Sequence, residues 1–467
     1  MLGKTRRIHF VGIGGIGMSG IAEVLANLGY VVTGSDARRS ETTVRLTERF
    51  GVEVYEGHAA AHVGDADVVV FSSAIKPANV ELAEAHRRGI PVIARAEMLA
   101  ELMRLRYAIA VAGAHGKTTT TSMIALVLEH AGLDPTAVIG GRLSAFGSNA
   151  RLGRSEYMVA EADESDRSFL MLWPTIAVIT NIDYEHMESY RSFDELQQAF
   201  AQFANKVPFY GAVIACADDA HLAAVLPHVN RPLITYGIES PTARFTATDV
   251  ELGSFGGRCV VHRQAGGGRD RLGALELTVP GRHNVQNALA AVAAADWIGI
   301  DFDRVAEALR TFRGAERRFE VHGEAGGVMV VDDYGHHPTE IAAVLGAARA
   351  TFGRRIVVAF QPHRFSRTQH LLDAFGPALR DADEIVLTDI YAAGEEPIDG
   401  VTLETLAAAV GSTSGRPVHV APALADVVPT LMRVTRAGDV VITLGAGSIG
   451  TVPRRLVQAL NERRTTA

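Results

Sequence analysis

The chain has 467 residues, of which 48% are hydrophobic and 21% charged, and its formal net charge is -8. At roughly 150 residues per domain it is too long for one core and suggests about three. The acidic balance leaves no footprint for nucleic acid or an anionic membrane, and Cys216 and Cys259 are too few for a disulfide framework, which fits a reducing cytoplasm.

Short β-branched runs alternate with helical stretches from end to end, so the fold class is α/β with parallel sheets. Three blocks can be drawn, at 1–105, 106–313 and 314–467. The first reads as strand 8–13, helix 18–28, strand 30–34 and strand 67–71. Lys4, Arg6 and Arg7 before an apolar run superficially resemble a secretion signal. Repeated glycines, His9 and Glu23 break that run, and its strand-turn-helix rhythm is that of a nucleotide fold. No segment approaches a membrane-spanning length. Directly after the first strand come Gly12, Gly14, Gly15, Gly17, Met18 and Ser19, in the order GIGGIGMSG, with Asp36 ending the next strand. That spacing brings backbone close to a pyrophosphate, which a dinucleotide or a UDP-sugar would supply.

The second block opens on an apolar strand, 107–112, followed by Gly113-Ala114-His115-Gly116-Lys117-Thr118-Thr119 and a helix from Thr119 to Ala131. A Gly-rich turn at a helix N-terminus cradles phosphate with backbone N–H groups. Lys117 would reach the β/γ-phosphates, and the Thr118 or Thr119 hydroxyl would hold Mg2+. Two residues separate the glycines instead of the usual four, a shortened variant. Strand 156–160 leads into the acidic run EADESD, where Glu161 is the first choice for a hard oxygen ligand. Strand 175–180 leads into NIDYEH, which offers His186 as a second metal ligand. After a strand at 212–215, a polar β-rich stretch from 244 to 280 includes a hairpin tip at QAGGGRDR, and a helix follows over 285–298.

The third block has strands at 328–331, 356–360, 384–388 and 440–444 between Ala-rich helices. Arg317 and Arg318 follow its boundary, DDYGHHP (Asp332 to Pro338) follows its first strand, and QPHRFSRT, with Arg364 and Arg367, follows the second. Arginine forks suit a carboxylate or a developing phosphate. The turn Gly445 to Gly450 repeats the glycine spacing and reads as structural. One loop shaped for a diphosphate and another for a triphosphate point to joining chemistry rather than hydride transfer.

Taken together these motifs resemble the Mur ligase family, and within it the alanine-adding branch of peptidoglycan synthesis. GIGGIGMSG with Ser35-Asp36, SSAI at 72–75, RAEML at 95–99, GAHGKTTTT, EADESD, NIDYEH, GRHNVQNALAA at 281–291, DDYGHHPTE and QPHRFSRT stand in the family's order. The resemblance implies a Rossmann-like N-terminal domain for the UDP-substrate, a central ATPase domain with the phosphate loop, and a Rossmann-like C-terminal domain closing over ATP and amino acid. It implies ATP and Mg2+ as cofactors, UDP-N-acetylmuramate and L-alanine as substrates, and a monomer or homodimer. Gly12, Gly14, Gly15, Gly17, Met18, Ser19, Asp36, Ser72, Ser73 and Arg95 would serve the UDP-substrate. Gly113 to Thr119 would serve the ATP phosphates, His283, Asn284 and Asn287 would lie near adenine, and Arg317 or Arg318 and Asp332 would approach the nucleotide. Thr118, Glu161 and His186 would hold metal, while Tyr334, His336, Arg364 and Arg367 would surround the amino acid and the acyl carboxylate. His336 or His186 is the candidate base.

Two departures stand out against the family. Ala114 replaces a common threonine, removing a hydroxyl and leaving the backbone cradle. The stretch from Ser192 to Phe200 has no lysine of the kind carbamylated in later Mur ligases, in keeping with the alanine-adding branch. A nicotinamide dehydrogenase, a nucleotide sensor without ligase activity and a murein peptide ligase are the competing readings.

Overall fold

The computed structural model describes residues 3–72, 74–104, 106–143, 148–187, 189–253, 256–314 and 317–466. Their strands form three sheets. Contacts divide the chain into two compact units: one of residues 1–250, 258–276 and 284–313, the other of 251–257, 277–283 and 314–467. The first unit carries the first two sheets apart from a few strand-end residues, and the second carries the third sheet.

The first sheet is built in the sequence β1 (Arg7–Val11), α1 (Ile16–Asn27), β2 (Val31–Asp36), α2 (Glu41–Phe50), β3 (Glu53–Glu56), β4 (Val68–Phe71), α3 (Val80–Arg87), β5 (Val92–Ala94) and α4 (Arg95–Met103). Its order is β3-β2-β1-β4-β5, with every pairing parallel. The order reverses between β1 and β4, and the carboxyl ends of strands at such a point form a binding crevice. The glycine turn after β1 opens there. Local chemistry supports each element. Ser40 caps α2 in a reciprocal box with Thr43, and Gly51, at φ 66°, ends it.

The second sheet begins with β6 (Tyr107–Ala112), α5 (Lys117–His130), β7 (Thr136–Leu143), β8 (Ser148–Arg151), β9 (Tyr157–Glu161), β10 (Ile176–Ile179), α6 (Phe193–Ala204), β11 (Ala212–Cys216), α7 (Ala220–Val225) and β12 (Leu233–Gly237). It continues with β13 (Phe245–Gly253), β14 (Gly256–Ala265) and β15 (Gly268–Leu277), then α8 (Arg282–Ile298) and α9 (Phe302–Arg310). The order is β15-β14-β13-β12-β11-β10-β6-β9-β7-β8. Parallel pairing places β6 between β10 and β9. All its residues after Tyr107 are buried, as expected of a strand covered on both faces. The expected hairpin tip lies between β14 and β15. The helix expected from Val285 starts at Arg282, so Asn284 and Asn287 fall in its opening turns.

The third sheet follows as β16 (Glu320–Ala325), β17 (Val328–Asp333), α10 (Pro338–Phe352), β18 (Ile356–Phe360), α11 (Phe365–His370), α12 (Leu372–Leu379), β19 (Glu384–Thr388), α13 (Leu403–Ser414), β20 (Val418–Ala421), α14 (Leu424–Val434), β21 (Val440–Leu444) and α15 (Val452–Thr466). Its order is β16-β17-β21-β18-β19-β20, parallel except at β16. Alternate residues of β18 serve the two cores: Ile356, Val358 and Phe360 pack with Ile341, Leu345 and Phe375, whereas Val357 and Ala359 pack with Leu431 and Leu456. This is the period-two signature of a sheet covered by helices on both sides. The carboxyl ends of β17, β21 and β18 are neighbours, so the loops after Asp333, Leu444 and Phe360 open together.

Candidate active site

The phosphate loop links β6 to α5. Gly116 caps the helix at φ 82°, and Gly113 has φ 132°. Both are conformations that L side chains rarely adopt. A methyl on Gly116 would lie 2.7 Å from Asn287 Oδ1, so space also requires glycine. The helix begins at Lys117, two residues before the expected start, because the turn itself supplies its first hydrogen-bond acceptor: Thr120 N donates to Gly116 O at 2.9 Å. Thr118 and Thr119 thereby lie in the first helical turn.

The loop after β10 holds this turn from one side. Asn181 Oδ1 accepts from His115 N at 2.8 Å while its Nδ2 donates to His115 O at 3.0 Å, and Thr180 Oγ1 donates to the same carbonyl at 2.6 Å. Ala114 N donates to Asn181 O at 3.2 Å. His115 Nε2 meets Asp183 Oδ2 at 2.8 Å. Ala114 therefore contributes only backbone, and its missing hydroxyl leaves the turn fully anchored. Asn287 Nδ2 donates to Asn284 Oδ1 at 3.3 Å, which sets both buried amides beside the Gly116 turn. His283 is one residue upstream on α8.

On the other side β9 runs beside β6, with Glu161 paired to Val111, two residues ahead of Gly113. The acidic turn that follows brings Glu164 rather than Glu161 onto the lysine. Lys117 Nζ lies 2.7 Å from Glu164 Oε1, 2.6 Å from Gly113 O and 3.1 Å from Ala114 O. Burial opposes the Lys117 ammonium, yet Glu164 and then Asp163 outweigh it and raise its pKa. Burial raises the pKa of Glu164, and Lys117 only partly offsets it. His186, at φ 58°, places Nε2 3.8 Å from Glu164 Oε1. Non-glycine residues pay about 1–3 kcal/mol for such backbone and tend to cluster at functional sites.

Around the first glycine turn, Gly12 N and Ile13 N both donate to Ser35 O, and Gly14 N donates to Asp36 Oδ2 at 2.8 Å. Asp36 thus fixes the loop. Gly15 precedes α1 as its cap, Gly17 packs on Arg95, and Met18 and Ser19 are buried, with Ser19 Oγ donating to Ile16 O. Arg95 Nη2 lies 3.4 Å from Asp163 Oδ2, linking this loop to the acidic turn beside Lys117. Ser72 begins the loop after β4, with its N–H on Val11 O, while Ser73 lies outside the described residues.

In the second unit the two adjacent arginines separate in role. Arg317 donates to Asp332 Oδ2 at 2.7 Å and to Gly445 O at 2.6 Å, and Asp332 is fully buried, also accepting from Thr443 Oγ1. The third glycine turn therefore serves as a seat for Arg317. Arg318 lies 3.5 Å from Glu340 and 5.1 Å over the Tyr334 ring. His336 Nδ1 is 3.1 Å from Tyr334 O and 3.3 Å from Glu340 Oε2. Arg364 adopts φ 73° and lies 3.9 Å from Glu395, while Arg367 Nη1 meets His363 Nδ1 at 3.2 Å. His363, which the sequence did not single out, packs between His336 and the stacked Tyr391. Burial, then the neighbouring His336 and arginines, lower its pKa to about 3, so it is a neutral acceptor for Arg367. Asp333 accepts from Phe319 N and Gly335 N, and burial pushes its carboxyl up to about 6.

A phosphate loop beside an acidic turn, joined through Arg95 to a second glycine loop of pyrophosphate type, defines a nucleotide-dependent α/β enzyme. Three family models match in succession: "Mur ligase family, catalytic domain" over 7–107, "Mur ligase middle domain" over 111–295, and "Mur ligase, glutamate ligase domain" over 317–447. The chain belongs to the Mur ligase family of ATP-dependent ligases. A relative from Geobacter sp. (strain M21), named UDP-N-acetylmuramate--L-alanine ligase, is 55% identical over 461 residues, covering 98% of this chain and 99% of that protein. The crystal structure of UDP-N-acetylmuramate-alanine ligase from Thermotoga maritima matches with a TM-score of 0.81 at 31% identity, covering 99% of this chain and 100% of that one. That of a murein peptide ligase from Psychrobacter arcticus matches at 0.73 and 27%, covering 97% and 98%.

Proposed function

We propose that this protein joins L-alanine to the carboxylate of UDP-N-acetylmuramate, consuming ATP and releasing ADP and phosphate, in peptidoglycan precursor synthesis. The observation that carries the reading is Lys117 seated in a glycine cradle beside the acidic turn, in a chain alike from end to end to ligases of that name. In this reading residues 1–105 bind the UDP-substrate through the Gly12–Gly17 backbone, Asp36, Ser72, Ser73 and Arg95. Residues 106–313 bind ATP, and 314–467 bring the amino-acid site and close over ATP. No helix among the described residues is long and apolar enough to cross a membrane, and in this reading the reaction is cytoplasmic.

The substrate carboxylate attacks the γ-phosphorus, forming an acyl phosphate as ADP leaves. Phosphoryl transfer of this kind is accelerated mainly by positioning and charge neutralisation. Lys117 and the loop N–H groups spread the phosphoryl charge, and Arg364 and Arg367 hold the acyl carboxylate in place. Hard oxygen donors beside a phosphate cradle fit Mg2+, which takes one or two carboxylates plus phosphate oxygens; Thr118, Glu161 and His186 would hold it. When bound it would neutralise phosphate charge. The amine of alanine then attacks the acyl carbon, phosphate leaves, and a base takes the ammonium proton. Held at Nδ1 by Tyr334 O and Glu340, His336 is the base in this reading.

The test is ATP-dependent phosphate release with Mg2+ and UDP-N-acetylmuramate, comparing L-alanine, a tripeptide and no amine, with the product weighed by mass spectrometry. Release confined to L-alanine, with one alanine residue added to the product, is expected. Release with the tripeptide alone would reassign the chain to peptide ligation, and silence throughout would leave a nucleotide sensor.

A further inference from the structure

An ammonium has three N–H donors. In Lys117 all three are engaged: two by the carbonyls of Gly113 and Ala114, the third by Glu164 Oε1. None remains for a nucleotide phosphate, so phosphate must replace one acceptor. The two carbonyls belong to the loop that forms the cradle, and β10-loop contacts fix that loop through Ala114 and His115. The exchangeable acceptor is the side chain. Glu164 is 2% exposed, and no described residue hydrogen-bonds to its other oxygen, Oε2.

We infer that Glu164 is a stand-in for phosphate: with no nucleotide bound it holds the Lys117 ammonium inward at the mouth of the cradle, and ATP binds by displacing it. Glu164 is thus a positioning residue that keeps Lys117 charged and aimed, at the expense of nucleotide affinity. The inference rests on the phosphate-loop reading and extends it to the contact that ATP must break.

The experiment is calorimetric binding of ATP, ADP and adenosine to the full chain and to Glu164→Gln, with and without Mg2+. Removing the competing charge should tighten ATP and ADP by about five- to tenfold and leave adenosine unchanged, a contrast that general loosening of the fold would not produce. ATP binding that is unchanged or weaker in Glu164→Gln, with wild type binding normally, overturns the stand-in and leaves the phosphate loop intact. Failure of wild type to bind ATP overturns both. If Glu164→Gln melts early and cannot be assayed, Glu164→Asp, which keeps the charge but shortens the reach to Nζ, carries the test: tightening supports the inference and none overturns it.

Discussion

Glu81 and Glu164 are both nearly inaccessible carboxylates in the same compact unit, and the fold treats them in opposite ways. Around Glu81 every acceptor position is served. Oε2 receives Ser35 Oγ at 2.6 Å and faces His9 Nε2 at 3.4 Å, while Oε1 receives Ala59 N at 3.1 Å and faces His62 Nδ1 at 3.0 Å. Burial alone would raise its pKa, but His9, Ser35 and Ala59 overcome that and bring it down to about 2. The fold prefers this carboxylate charged. Glu164, served by Lys117 at one oxygen, has its pKa raised, so the fold disfavours its charge. The difference is one of pairing: Glu81 lies in a complete polar network, which rigidifies a fold, whereas Glu164 is tied at one oxygen to a single lysine.

The largest test of this contrast concerns the lysine on which Glu164 rests. Lys117→Ala should lower turnover by at least about a thousandfold while leaving UDP-N-acetylmuramate binding to the first glycine loop intact by calorimetry. Loss of both would show that the two loops are not separable. Next in size, Glu81→Gln should destabilise the first unit by about 3 kcal/mol at neutral pH, read as an earlier thermal transition, whereas Glu164→Gln, which leaves Lys117 on the carbonyls of Gly113 and Ala114, should cost less. An equal penalty at both sites would erase the distinction.

The pH dependence has opposite signs. Glu81 contributes stability that is present above its unfolded pKa near 4.5 and lost as pH falls toward about 2. Glu164 binds its proton more tightly folded than unfolded, so stability tied to it is lost as pH rises through its raised pKa. Thermal melts across pH 2–7 should lose the acid limb's steepness in Glu81→Gln and keep it in Glu164→Gln. The smallest effect is expected at the half-exposed link between the loops: Arg95→Ala should raise the KM for UDP-N-acetylmuramate by roughly tenfold and leave that for ATP within about twofold. A larger change in ATP would mean that Asp163 needs Arg95 to shape the phosphate site.

Much of this was legible locally. Strands 356–360, 384–388 and 440–444 emerge with the bounds read from their β-branched runs, because apolar runs between turn residues suit a sheet covered on both faces. The helix after the phosphate loop began earlier than read, since Lys117 and Thr118 carry no apolar periodicity and only the left-handed Gly116 sets the start. In the acidic run, composition could not tell which carboxylate faces the lysine. The four acidic and polar residues that follow Glu161 in the turn have no period, and the path of the turn decides.

The sequence by itself determined the fold class, the two glycine loops and the membership of a ligase family, because glycine spacing, strand runs and motif order are properties of contiguous residues. Tertiary structure alone decided which charges meet. His9, Ser35, Ala59, His62 and Glu81 lie scattered along the chain and converge only when β1, β2 and α3 pack together. Arg317 and Arg318 are chemically alike neighbours, yet one is seated on Asp332 and Gly445 and the other faces Glu340. Electrostatic energies depend on distance and burial, and neither is fixed until the sheets have formed.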